Sequence, residues 1–256
     1  MMTIQRTLRI RVWCAAGLMW CIGSPAFPAH PLVSEDTGTQ GAGGNQIEWN
    51  ADGARDAGAR TNTAALTYTR GIAGALDIFL NTPTTWKAPA GERTGLNDMS
   101  LGAKWRFYDR EGISLGVKPE WVMATGDEQK GLGNGKNGYG VTLMAQIETG
   151  GLTWLLNYGV SRHRFALQAD RNDYRGTIYR SSVAVLYGLT ERLKGLIDIG
   201  QSSPALKAES SKPRFMVLGA IYALSEDLDL DFGFKKGLNS AETDRQWGGG
   251  LTWRFR

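Results

Sequence analysis

Ionisable side chains recur at every second position along many segments of this sequence. This alternation would place them on one face of extended strands, because successive side chains of a strand point to opposite faces. The basic members are Lys104, Arg106, Lys118, Arg180, Lys194, Lys235 and Arg254. The acidic members are Glu48, Asp77, Glu120, Glu148, Asp198, Asp229 and Asp231. Charges of both signs on one face fit either a pore lining that selects solutes by charge or an ion-pair network that braces a wall.

Catalytic chemistry has less support. A hydrolytic nucleophile needs a base that a third group holds in place. Beyond position 29 the histidines are His30 and His163, and the neighbours of His163 are two arginines rather than a carboxylate. The G-x-G-x-x-G match within residues 133–138 precedes another alternating segment rather than a helix, so it predicts a flexible loop. We expect no cofactor and no metal, and a membrane-embedded lipid or peptide hydrolase is kept as an alternative.

The charges belong to a pattern of strands that repeats from residue 44 to the C-terminus. In "SEDLDLDFGFKKG" (225–237), Leu228, Leu230 and Phe232 alternate with Asp229 and Asp231. Short turns alternate with long polar loops, which we place near residues 51–60, 82–97, 126–138, 161–176, 202–213 and 237–245. Short turns on one side and long loops on the other are typical of bacterial outer-membrane barrels. The sequence therefore predicts an all-β protein, a transmembrane antiparallel up-and-down β-barrel of about 12 strands.

Energetics indicate which face of each strand looks inward. A Lys or Arg turned to lipid costs about 2–4 kcal/mol near the bilayer midplane, and a typical domain is stable by only about 5–15 kcal/mol. We therefore expect Asp229 and Asp231 to face a wet lumen and Leu230 and Phe232 to face lipid. Aromatic residues near the strand ends predict two girdles at the membrane interfaces.

The N-terminus has the pattern of a secretory signal peptide. Residues 1–26 combine three arginines with an apolar stretch and end at Ala26, where we place cleavage. Removal of this segment lowers the formal net charge from +4 to +1, which weakens a nucleic-acid interpretation. It also removes Cys14 and Cys21, so we expect no disulfide in the mature barrel, residues 27–256.

Two features have open interpretations. Pro119 lies within a strand, where it removes a ladder donor, so it predicts either a bulge that helps curvature or a kink that opens a lateral path. Residues 27–43 precede the first strand, and they could fold into the lumen as a plug or form a periplasmic tail.

Several segments resemble a known outer-membrane family. They are "HPLVSEDTGTQG" (30–41), "LGAKWRFY" (101–108), "LGVKPE" followed by "TGDEQKGLGNG" (115–135), "YGLTERL" (187–193) and "IYALSEDLDLDFGFKKGLN" (221–239). In order and spacing they are similar to the family named for the meta-pathway of phenol degradation. The resemblance implies a transporter, and the name implies aromatic substrates.

The sequence and the resemblance together predict a passive channel in the bacterial outer membrane. The expected cargo is small, and weakly polar, hydrophobic or aromatic. The expected partners are the lipid bilayer, lipopolysaccharide, the cargo and the barrel assembly machinery, which would recognise the C-terminal strand, although Arg256 follows the terminal aromatic Phe255. A structural or adhesive barrel is a further alternative.

Overall fold

The computed structural model describes residues 30–87 and 94–256. Its strands are β1 (Asn45–Asp56), β2 (Ala59–Ala73), β3 (Leu76–Lys87), β4 (Gly95–Leu96), β5 (Ser100–Arg110), β6 (Ile113–Val122), β7 (Gly138–Thr149), β8 (Leu152–Arg162), β9 (Thr177–Gly188), β10 (Leu193–Ser202), β11 (Arg214–Ala223), β12 (Leu228–Gly237) and β13 (Arg245–Phe255). The helices are a 3-10 turn (Glu128–Lys130) and α1 (Gln168–Asp173). Within the described ranges, no helix is both long and apolar enough to cross a membrane.

The strands form a closed antiparallel barrel. Each pairs with its sequence neighbour, except that β3 pairs directly with β5 and the two-residue β4 adds to the end of β3. The sheet closes where β1 pairs with β13, with Asn45 opposite Phe255 and Arg55 opposite Arg245. The prediction of a 12-stranded barrel is confirmed.

The long loops lie at one end of the barrel, the loop end, and the short connections lie at the other, the turn end, except for the two-residue turn between β1 and β2 at the loop end. Barrels of this class place short turns in the periplasm and long loops outside the cell. The expected loop at 51–60 is wrong, because β1 and β2 are joined by a two-residue turn. Ala57 and Gly58 both have positive φ, 45° and 85°, which matches the twist that a two-residue hairpin needs.

Exposure separates the two faces of the wall. Leu230 and Phe232 are 39% and 55% exposed, whereas Asp229 and Asp231 are 8% and 7% exposed. Exposed aromatic residues form two belts. Toward the loop end lie Trp86, Trp121, Tyr139, Tyr179 and Trp247, and toward the turn end lie Tyr68, Trp105, Phe107, Trp154, Tyr187, Tyr222 and Trp253. Two apolar belts around an apolar band fit the two interfaces of a bilayer.

The β5–β6 ladder is irregular near Pro119. Gly102 lies opposite Glu120 and Trp105 opposite Val117, so the register is the same on both sides of the proline, although the two positions between them form no ladder pair. The register shift lies elsewhere, between Arg106 and Tyr108. Pro119 therefore interrupts the ladder without a shift in register, and the bulge belongs to the opposite strand.

Candidate functional site: the lumen and its N-terminal segment

Residues 30–44, here called the lumen segment, lie inside the barrel. The C-terminal end of the segment lies beside β1 at the turn end of the barrel. There the Gly43 amide donates to the Gly71 carbonyl (2.9 Å), and the Gly71 amide donates to the Gly44 carbonyl (2.8 Å). The Thr39 hydroxyl donates to the carbonyl of Gly74 (3.0 Å) in a turn. The other end, at His30, contacts the wall nearer the loop end. Of the segment 27–43, for which the sequence leaves two positions open, residues 30–43 lie in the lumen. Residues 27–29, like the predicted signal peptide at 1–26, lie outside the described residues.

Wall carboxylates and amides bind the backbone of the lumen segment. Asp198, which is fully buried, accepts from the amides of Val33 (2.8 Å) and Ser34 (2.7 Å) and from the Ser34 hydroxyl (3.0 Å). Asn157 makes two bonds with Glu35, accepting from its amide (2.7 Å) and donating to its carbonyl (2.9 Å). The backbone amide of Gln40 donates to the Asp77 carboxylate (3.0 Å). These contacts satisfy backbone groups that would otherwise be buried without partners.

Two lysines of the wall form ion pairs with the segment. Lys104 Nζ lies 2.9 Å from Asp36 and 3.8 Å from Glu35, and Lys118 pairs with the Glu35 carboxylate. Burial raises the pKa of Glu35, but Lys118 and Lys104 outweigh it and hold that pKa below its ordinary value. The segment therefore carries two carboxylates that neutralise two of the predicted pore cations.

His30 joins the segment to the strands at the barrel seam. Its Nδ1 bonds to Asp231 on β12, and its Nε2 lies 3.3 Å from Asp52 on β1. Burial alone lowers the pKa of His30, but the bonds to Asp231 and Asp52 raise it from 6.5 to about 9. At neutral pH the imidazole is therefore a cation held by two carboxylates.

Glycines of the wall make room for the segment. A Cβ at Gly219 would lie 2.7 Å from Pro31 Cγ, and one at Gly233 would lie 2.8 Å from the same atom. A Cβ at Gly248 would meet the His30 ring at 2.5 Å. Real Cβ atoms do not approach other atoms this closely, so a side chain at these positions would displace Pro31 or His30.

The structure places the remaining predicted residues along the same inner face. Three more cations have acidic partners: Arg106 with Asp109 (3.4 Å), Lys235 with Glu242 (2.9 Å) and Arg254 with Asp229 (2.8 Å). Glu148 accepts from the Gln146 amide group (2.9 Å). Lys194 is half-buried, and Glu48 is buried. Both interpretations of the charged face, pore lining and bracing network, thus share the same residues, and much of the pairing runs through the lumen segment.

Two cavities meet at the segment. The outer cavity, of about 510 Å³, opens toward the loop end, and Thr142, Ser161, Arg180 and Phe215 are among its lining residues. The inner cavity, of about 240 Å³, lies toward the turn end beside Gln46 and Asp77. Glu35, Lys118 and Glu120 line both. A solute that crosses the lumen by this route must pass the Glu35–Lys118 ion pair.

A third cavity lies among the loops. It has a volume of about 460 Å³ and shares Ile178 and Arg180 with the outer cavity. The rings of Phe165 and Tyr174, 5.7 Å apart, form part of its wall. The loops therefore carry an aromatic-lined recess that adjoins the polar lumen.

A serine–histidine pair lies where these cavities adjoin. Ser161 Oγ is 2.9 Å from His163 Nε2, and burial and then Arg180 lower the pKa of His163, which favours the neutral imidazole. Within residues 30–87 and 94–256, no carboxylate is hydrogen-bonded to this histidine, and no group of three or more potential metal ligands is present.

The sequence reasoning missed the small polar residues that hold the segment. Gln146, Asn157 and Ser182 face the lumen and bind it, but uncharged residues were not among the candidates. The signal that could have indicated them lies in the segment itself. "SEDTGTQG" (34–41) is polar and lacks the alternation of a strand, so in the lumen it needs polar partners on the wall.

Comparisons with known proteins agree with this architecture. Residues 32–255 match the family described as "Putative MetA-pathway of phenol degradation". The chain belongs to this family. No significant relative was found among curated proteins.

Among solved structures, an outer membrane channel from Pseudomonas putida F1 is similar at a TM-score of 0.69, with 12% identity, over 86% of this chain and 98% of that chain. The NanC porin is similar at 0.59, with 9% identity, over 82% and 98%. The KdgM porin, solved with oligogalacturonate, is similar at 0.57, with 10% identity, over 82% and 99%. The family member described here is thus a β-barrel with the fold of outer-membrane channels and porins.

Proposed function

We propose that the protein is a passive channel for small molecules and that the lumen segment restricts passage through it. The observation that carries this proposal is the pair of cavities that meet at Glu35, Lys118 and Glu120. Solvent-sized spaces on both sides of one ion pair are what a narrow, gated path requires. No covalent bond needs to be broken for a solute to pass, because displacement of the segment from this junction would join the two cavities.

The cargo that we propose is small, weakly polar and aromatic. Four lumen cations, Lys104, Lys118, Lys235 and Arg254, are paired with carboxylates. This pairing weakens any field that would favour ions of one sign. The remaining space is narrow, well below that of barrels of 16–18 strands, which leave a wide aqueous channel. The Phe165–Tyr174 recess and the family description support an aromatic solute.

Planar-bilayer recordings with and without the Glu35–Lys118 pair test the channel proposal. Lys118→Ala should raise the conductance, because it removes the group that holds Glu35 at the junction. Lys130→Ala is the matched control, since Lys130 also pairs with an acid, Asp127 at 2.6 Å, but on an exposed loop. Equal conductance in wild type, Lys118→Ala and Lys130→Ala would contradict the proposal.

Cell uptake tests the cargo. Cells with the protein should take up phenol-like or benzoate-like compounds faster than cells without it, and reversal potentials in a salt gradient should show weak ion selectivity. Unchanged uptake together with strong cation or anion selectivity would show that the cargo class is wrong, even if the channel proposal holds.

A hydrolase is the second candidate, because Ser161 and His163 are within hydrogen-bonding distance. Among the described residues, no carboxylate is bonded to the imidazole to orient it. We therefore expect a covalent probe that reacts with activated serines to label the purified wild-type protein no faster than it labels the Ser161→Ala variant. Labelling that Ser161→Ala and His163→Ala both abolish would establish the hydrolase instead.

A further inference from the structure

Four cations lie side by side on the outside of the barrel at its loop end. Lys236 is opposite Arg245, Arg245 is opposite Arg55, and Arg55 is opposite Arg60, so the row crosses β12, β13, β1 and β2. Neighbouring strands are about 4.8 Å apart, and like charges directly opposite each other destabilise a sheet. All four side chains are exposed, and within the described ranges none of them forms an ion pair.

The nearby carboxylates are directed elsewhere. Asp52 turns into the lumen, where His30 and Gln246 bind it. Asp244 accepts from the amide of Ala57 (3.2 Å) in the turn. The row therefore concentrates four positive charges on the outer surface, and no carboxylate of the described residues forms an ion pair with them, although Asp56 and Asp244 adjoin the row in sequence.

A groove of about 500 Å³ lies directly beneath three of these cations. Arg55, Arg60 and Arg245 line it together with Trp86 and Trp247. The rest of the lining is formed by Ala51, Asp52, Gly53, Ala54 and Asn62. The Asp52 carboxylate itself is bonded to Gln246 and His30, and the small outward-facing residues Ala51 and Gly53 leave the space that larger side chains would fill. The groove thus has two tryptophans in its walls, small residues at its base and arginines at its upper edge.

Trp86, on the aromatic wall, lies beside an irregularity in the β2–β3 ladder. The β2–β3 register shifts between Asn62, opposite Lys87, and Thr63, opposite Thr85, so Trp86 has no ladder partner. Trp86 follows the regular alternation of β3, in which Ile78 is also exposed while Asp77 and Thr85 are buried, and it is 56% exposed on the outer surface. Together with Trp247 it belongs to the belt at the loop end, which marks the outer membrane interface.

We propose that this groove binds lipid A, the acylated, bis-phosphorylated disaccharide that anchors lipopolysaccharide in the outer leaflet. Arg245 lies two residues from Trp247 toward the loop end, about 7 Å farther along the strand, which places it above the aromatic belt at the level of lipid phosphates. Guanidinium groups bind phosphate through paired hydrogen bonds, and the tryptophans contact the sugar and the upper part of the acyl chains. The bound phosphates offset the repulsion within the cationic row. The proposal does not rest on the channel function.

Native mass spectrometry of the purified full-length barrel, titrated with lipid A, tests this site. Wild type should retain one lipid A, and Arg55→Ala/Arg60→Ala/Arg245→Ala should bind it at least about tenfold more weakly, since two or more charge-assisted bonds are lost. The control Lys136→Ala/Arg162→Ala/Lys212→Ala removes the same charge from exposed loop-end positions and should bind like wild type. Heat-modifiable gel migration verifies that every variant is folded.

A groove-filling variant and three other ligands show whether binding depends on the shape of the groove, on phosphate alone or on lipid A as a whole. Gly53→Leu, which keeps all four cations but fills the groove, should also weaken binding. Dephosphorylated lipid A, inorganic phosphate and phosphatidylglycerol should each bind more weakly than lipid A. Undiminished lipid A binding by the folded triple variant, or phosphatidylglycerol binding as tight as that of lipid A, would overturn the proposal. Binding of inorganic phosphate at the affinity of lipid A would do the same.

Discussion

Replacement of Asp198 by alanine should release the middle of the lumen segment and raise the open fraction of the channel. Asp198 accepts three hydrogen bonds from Val33 and Ser34, at 2.7–3.0 Å. Bonds to a charged group contribute about 1.5–3 kcal/mol each, but the buried carboxylate carries a desolvation cost. A net value of about 1 kcal/mol per bond gives about 3 kcal/mol in total. The ratio of docked to undocked segment should therefore fall about 100-fold.

Single-channel recording in a planar bilayer measures this change directly. Asp198→Ala should spend much more time in its highest conductance state than wild type, whereas Asp198→Asn, which keeps an acceptor, should lie between them. Glu209→Ala, on an exposed loop, controls for the loss of a carboxylate. If folded Asp198→Ala shows the open fraction of wild type, then the segment does not restrict passage and the reasoning from these bonds is refuted.

Three further outcomes are expected. Leu230→Arg places a charge in lipid at a cost of about 2–4 kcal/mol and should impair assembly, as heat-modifiable migration would report, whereas normal assembly would reject the assigned facing. Because the pKa of His30 is raised, its positive charge stabilises the docked segment fully below pH 6.5, and this stabilisation is lost as the pH rises through about 9. The open fraction of the channel should therefore increase at alkaline pH in wild type but not in His30→Gln. Equal pH profiles of the two proteins would contradict this expectation. Cysteine labelling of intact cells should reach Lys136→Cys but not Glu191→Cys, and the reverse result would invert the topology.

The strands and their facing could be predicted because lipid imposes a local rule. Charged residues are costly at outward-facing positions at membrane depth, so the alternation of Leu230 and Phe232 with Asp229 and Asp231 is visible in the sequence alone. The rule ends above the membrane. The upper part of β1, "NADGARD", faces outward through Ala51, Gly53 and Arg55, which have no large apolar side chain, and for this reason the sequence suggested a loop there.

The position of the lumen segment could not be predicted by the same means. Its partners are isolated polar residues far along the chain, such as Ser182, Asp198 and Asp231, at separations of 148, 164 and 201 residues from Ser34 or His30. Such bonds leave no periodic pattern. The charged residues of the wall could be predicted, but that Lys104 and Lys118 pair with Glu35 and Asp36 depends on where the segment docks.

The distance between these partners along the chain also constrains the order of assembly. Residues 30–44 leave the ribosome before any strand, yet the groups that hold them are spread from β3, which carries Asp77, to β12, which carries Asp231. Docking can be complete only when β12 is in place, because the bond between His30 and Asp231 joins residues 201 positions apart, and contacts of such long range form late when the intervening chain must first be ordered. We therefore expect an assembling barrel to hold the segment first through its contacts on the earlier strands and to fix His30 last.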